Sequence, residues 1–168
     1  DVSDTSYHAR GKQRLSAGGI WYTAQSGIWQ SVWLESVPQH YIKGLRLVPH
    51  LGEGELQIEV LGSDGCEGQE RGSVQIMADG EEVAGRDGVI PGQVVRVPIP
   101  DVRPWSPQDP FRYDLTVRLG EDEVRSYAGM RSVYVGPDAH GIPRIHLNDS
   151  PMFQVGALDQ GYWPDGLY

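Results

Sequence analysis

Apolar and polar residues alternate along this chain with a period of two. From Tyr113 to Leu119, Tyr113, Leu115, Val117 and Leu119 are apolar while Asp114, Thr116 and Arg118 are polar, which predicts a half-buried strand. Leu56, Ile58 and Val60 alternate with Gln57 and Glu59, Val95, Val97 and Ile99 repeat the pattern, and Leu45 and Leu47 begin another run. Turn signals separate these runs at Gly52-Glu53-Gly54, Ser63-Asp64-Gly65, Asp79-Gly80, Asp87-Gly88 and Gly120-Glu121-Asp122. No amphipathic helical pattern intervenes, so the expected fold is all-β: an antiparallel sandwich with its core over about residues 28–136. Pro100, Pro104, Pro107 and Pro110 predict a loop around Val102–Pro110.

Composition agrees with many turns, since the 168 residues include 22 glycines and 12 prolines. The net charge of −9 with no basic block disfavours nucleic acid and anionic membrane surfaces as partners. Leu15–Leu34 carries no formal charge and is long enough to cross a bilayer. Its serines, glutamines, threonine and glycines make buried protein the better reading. Cys66 is the only cysteine, which excludes an intrachain disulfide and a cysteine-based zinc site. The compartment stays open, cytoplasmic or secreted. Neither end carries a domain of its own, so the chain reads as a piece of a larger protein. The apolar stretches at 15–34 and 152–163 give the isolated chain a reason to self-associate.

Three segments, in order, resemble the family 2 glycoside hydrolases, the group of β-galactosidases, β-glucuronidases and β-mannosidases. Ser26-Gly27-Ile28-Trp29-Gln30-Ser31-Val32-Trp33-Leu34-Glu35 resembles the passage from the family's sugar-binding jelly roll into an immunoglobulin-like sandwich. Pro104-Trp105-Ser106-Pro107 through Pro110-Phe111-Arg112-Tyr113 is similar to the run before a late sandwich strand. Gly129-Met130-Arg131, then Leu147-Asn148-Asp149-Ser150-Pro151 and Gly156, resembles the passage into the first strand of the catalytic (β/α)8 barrel. Asn148-Asp149-Ser150 and Gln154-Val155-Gly156 depart from the family pattern and leave the substrate open. The resemblance implies that residues 1–24 end the jelly roll, 25–136 form an immunoglobulin-like antiparallel β-sandwich, and 137–168 are a linker with the first barrel strand and its loop. The partners it implies are the remaining domains of the parent enzyme and, in that enzyme, a β-glycoside.

Retaining glycosidases need two carboxyl groups about 5–5.5 Å apart. The resemblance places both on later barrel strands, the acid/base in an Asn-Glu pair, whereas the only asparagine here, Asn148, precedes Asp149. The chain is therefore expected to carry no catalytic residue, no metal site and no cofactor. Glu81-Glu82 and Glu121-Asp122-Glu123 read as solvated hairpin tips, and the five histidines lack ligand spacing. Four residues are candidates for substrate binding in the intact enzyme. Asp4 matches a β-galactosidase aspartate that reaches the active site; Asp159 and Gln160 stand where that family has arginine and a sugar-contacting histidine. Trp163 follows the first barrel strand, where active-site loops emerge. The expected role is that of a spacer holding sugar-binding domain against barrel. The alternative is a stand-alone carbohydrate-binding sandwich using its tryptophans as a platform. An adhesion domain of antibody type is disfavoured by the missing cysteine pair.

Overall fold

The computed structural model describes residues 12–24, 30–66, 68 and 70–158, and none of them is helical. No helix among them is long and apolar enough to cross a membrane. The chain falls into two compact units, Ser36–Gln154 and a second made of Asp1–Glu35 with Val155–Tyr168. In the second unit, β1 (Gln13–Arg14) pairs in parallel with β2 (Tyr22–Thr23). The Arg14 guanidinium lies 4.4 Å over the Trp21 ring.

The larger unit is a three-on-four antiparallel sandwich. One sheet has the order β3 (Ile42–His50), β4 (Glu55–Gly62), β7 (Val94–Pro98). The other runs β6 (Glu81–Val89), β5 (Gly72–Ala78), β8 (Tyr113–Leu119), β9 (Asp122–Ala128). The period-two runs supply its core: Leu56, Ile58 and Val60 from β4, Val74 and Ile76 from β5, and Leu115, Val117 and Leu119 from β8 are all buried. Each such side chain contributes about 1.5–3 kcal/mol on burial, so this interior is what holds the two sheets together. Pro49 costs no ladder bond it would otherwise need, because β3 is an edge strand.

Turn chemistry sets the registers. Asp79 and Gly80 both take positive φ between the paired Ala78 and Glu81, as a two-residue type I′ hairpin requires. Between Leu119 and Asp122 only the first central residue, Gly120, does so. Two expectations need correction. Asp87-Gly88 lies inside β6, not in a turn. Gly88, with φ +71, sits where the register with β5 shifts between Gly72 and Ser73, so its turn-like conformation makes a bulge that lets the strand continue. Asp122 is more than a solvated tip, since its Oδ2 accepts a 2.8 Å hydrogen bond from the Ile42 amide and ties β9 to the start of β3. Beyond the sandwich a small antiparallel sheet follows, ordered β10 (Val133–Pro137), β11 (Pro143–Leu147), β12 (Ser150–Pro151).

Candidate functional site

Residues that the sequence had marked in separate motifs meet where the sandwich gives way to the β10–β12 sheet. Trp105, in the proline-rich loop between β7 and β8, donates its backbone N–H to the Met130 carbonyl at 2.8 Å. Asn148 completes the joint. Its Nδ2 donates to the Trp105 carbonyl at 2.8 Å, and its Oδ1 accepts from the Ser132 amide at 3.1 Å. The Asn148 amide returns a bond to the Ser132 carbonyl at 3.1 Å. One side chain thus satisfies backbone groups from two connections and pins the hairpin to both. Asn148 and Asp149, at φ 49 and 67, are the two central residues of the turn joining Leu147 to Ser150; asparagine and aspartate tolerate this left-handed backbone better than bulkier residues.

Packing around the joint is close. A Cβ on Gly129 would lie 3.2–3.3 Å from Trp105 side-chain atoms, so only glycine lets the chain pass the indole without displacing it. Arg131 places its guanidinium carbon 5.0 Å from the centre of the same ring, and Met130 between them is fully buried. Tyr134 stacks on His146 with centroids 4.8 Å apart and planes within 14°. Its hydroxyl donates to Asp149 Oδ1 at 3.3 Å. Burial, and then the Asp149 carboxylate, raise the Tyr134 phenol above its ordinary value. His146 is buried; Nε2 meets the Gly136 carbonyl at 3.2 Å, and its Nδ1 has no hydrogen-bond partner.

The proline-rich loop has its own brace. The Arg103 guanidinium binds both oxygens of Asp109, at 2.8 and 2.7 Å, and lies 4.3 Å over the Phe111 ring. Its backbone amide donates to the Tyr113 hydroxyl at 2.8 Å. Those hydrogen bonds from Arg103 hold the Asp109 carboxyl below its usual range. At the far end of the hairpin, Asp138 Oδ1 accepts from the amides of Ile142 and His140, and Oδ2 from Arg144. The two backbone donors are the main reason its carboxyl is depressed.

Carboxylates in this region are therefore occupied in fixing loops, and what the arrangement does chemically is hold backbone segments together. Among the described residues no group of three His, Cys, Asp or Glu side chains stands as a metal site. Asp4, Asp159, Gln160 and Trp163 all lie outside the described residues. Asn148 and Trp105 were legible only as parts of motifs. Their meeting was not, because period-two patterning carries no signal for a contact that spans 43 residues.

Comparison with known proteins fits this architecture. The model of the family described as Glycosyl hydrolases family 2 matches residues 40–131, more than half of the chain. Among solved structures, the β-glucuronidase of Ruminococcus gnavus aligns with TM-score 0.57 and 21% identity over 71% of this chain and 20% of that one. The same enzyme in complex with D-glucuronic acid gives 0.56 and 21%, over 70% and 20%. Its complex with uronic isofagomine gives 0.55 and 21%, over 70% and 18%. The chain thus spans about a fifth of the length of these structures. No curated protein sequence matches it.

Proposed function

The chain belongs to glycosyl hydrolases family 2, and from that membership we propose that its sandwich is a non-catalytic structural domain of a retaining exo-β-glycosidase, positioning a sugar-binding domain against a catalytic barrel. The observation that carries this reading is the junction itself. Trp105, Met130, Ser132 and Asn148 bond to one another through backbone groups and the Asn148 side-chain amide, which fixes the exit of the sandwich. In this reading residues 1–24 close a jelly roll and residues 137–168 lead into the barrel. Asp4, Asp159, Gln160 and Trp163 would contribute contacts to a β-glycoside in the intact enzyme.

The second reading, a stand-alone carbohydrate-binding module, has one observation in its favour: Trp33 is exposed, with its indole N–H donating to Glu35, so an aromatic face remains open to a sugar. Trp105 offers no such platform, lying against Gly129 and under Arg131. Calorimetric titration of the chain with galactose, glucuronic acid, mannose and β-linked oligosaccharides, beside a chromogenic β-glycoside assay, separates the two. The spacer reading expects neither binding nor turnover. Saturable binding lost in Trp33→Ala would establish the module instead, and turnover by pure chain would sink both.

A further inference from the structure

We propose that Asp64–Gly65 is a site of spontaneous modification, where the backbone cyclises to a succinimide and reopens as isoaspartate, and that Lys43 governs the rate. A glycine after aspartate leaves its nitrogen unshielded, because it has no Cβ. In this step the Gly65 nitrogen attacks Cγ of Asp64. The new C–N bond forms as the C–OH bond breaks, and the hydroxyl leaves with the amide proton as water. Water then adds to one of the two ring carbonyls. Addition at the γ carbon restores aspartate; addition at the α carbon frees the α carboxyl and leaves Gly65 joined through the side chain. The overall change consumes no oxidant and no partner.

Three Asp–Gly pairs stand among the described residues, and their backbones differ. Ring closure swings the glycine nitrogen towards the aspartate side chain, so it needs a backbone free to turn. Asp79–Gly80 is closed on both sides by the Ala78–Glu81 pair of its hairpin. Asp87–Gly88 lies within β6, flanked by the pairs Asp87–Ser73 and Val89–Gly72. Asp64–Gly65 lies past the end of β4, spanned by one long bond from the Cys66 amide to the Ser63 carbonyl at 3.3 Å. Gly65, at φ +81, has no atom within 4 Å of where a side chain would begin. Among the described residues its amide donates no hydrogen bond. The Asp64 side chain is fully exposed.

Lys43 stands guard over this turn. Hydroxide leaves far more readily than oxide, so the neutral carboxyl reacts and the carboxylate does not. Lys43 Nζ donates to Asp64 Oδ1 at 2.6 Å, and that hydrogen bond holds the Asp64 carboxyl below its usual range. The same bond ties the side chain to β3 and restrains its approach to Gly65.

The consequence falls on Cys66, the only cysteine of the chain. Ser63 and Cys66 are both buried and anchor the turn, and the Ser63 amide donates to the Tyr41 carbonyl at 2.8 Å. The Cys66 sulfur fills the space over Gly62, where a Cβ would collide with it. Isoaspartate puts one extra atom into the main chain between these anchors. That slack unseats the thiol and opens it to reagents that burial now excludes.

Peptide mapping of the chain, aged at body temperature in mildly acidic buffer, tests the site by mass spectrometry that distinguishes isoaspartate by its fragment ions. Succinimide, seen as the loss of one water, and then isoaspartate should accumulate at residue 64 ahead of residues 79 and 87. Lys43→Met, which keeps the stem and removes the charge, should speed this severalfold, and Lys43→Arg should stay close to the parent rate. Both variants should keep the parent unfolding transition, which separates a lost guard from a loosened fold. Asp64→Glu, whose longer side chain closes the ring far more slowly, should abolish the product. Labelling of Cys66 by a thiol reagent should rise in step with isoaspartate and stay flat in Asp64→Glu. No isoaspartate at residue 64, or its earlier appearance at 79 or 87, would overturn the site. A rate that Lys43→Met leaves unchanged would overturn the role of Lys43.

Discussion

The sandwich and the β10–β12 sheet are built from the same kind of strand but held in different ways. In β8, four of the seven side chains are buried between the sheets, alternating with polar residues that face solvent. In β10 no side chain is buried. The sandwich stays folded because its own two sheets bury its own apolar faces. The smaller sheet leans on a few directional bonds at Asn148 and Asp138, and leaves its apolar ladder uncovered. Burial is spread over many residues, whereas a hydrogen-bonded strut is concentrated in one, so the two regions should fail differently.

The largest expected effect is in the sandwich. Leu115→Ala removes a buried side chain from the centre of β8 and should cost about 3 kcal/mol, seen as a fall in the urea midpoint with every strand unfolding together. Asn148→Ala comes next. It leaves the Trp105 carbonyl and Ser132 amide without their partner, at about 2 kcal/mol, and exchange should quicken in β10–β12 before β8 responds. Asn148→Gly keeps the left-handed backbone but not the side chain; recovery in that variant would show that the turn matters more than the strut. Gly129→Ala forces its methyl to within 3.2 Å of Trp105 and should cost on the order of 1 kcal/mol, with a change in tryptophan emission.

Smallest and most local is a pH effect at Asp138. Its carboxyl titrates below its unfolded value, so its contribution is present above that unfolded value and is lost as pH falls through the folded one. As pH falls from neutral through and below the ordinary carboxylate range, protection of Ile142 and His140 amides should fall ahead of the core, and Asp138→Asn should flatten that dependence. Unchanged protection across that range would mean the hairpin tip does not rely on the charge.

The same contrast explains what could be read beforehand. β8 was legible residue for residue, because Tyr113–Leu119 alternates without interruption; Asp79-Gly80 announced its hairpin by composition. β6 was not, since Ala84, Gly85, Arg86, Asp87 and Gly88 lack an apolar alternation and the strand survives by bulging. The family resemblance marked Trp105, Gly129–Arg131 and Asn148 as significant, but only folding showed that they are neighbours. Asp122 was misjudged because a carboxylate beside a turn glycine usually serves water, and its amide partner is far away in the chain.

That distance sets a timetable. The Ile42 amide is satisfied by a carboxylate 80 residues downstream, so during synthesis β3 can zip onto β4 early while its leading amide stays unpaired until Asp122 has emerged. At about 5–20 residues per second, that amide waits roughly 4–16 seconds. Over that interval the β3–β4 hairpin can form without its clasp to β9. The tie between the two sheets at this edge is therefore made late, and the ribosome's pace over residues 42–122 becomes part of how the domain reaches its fold.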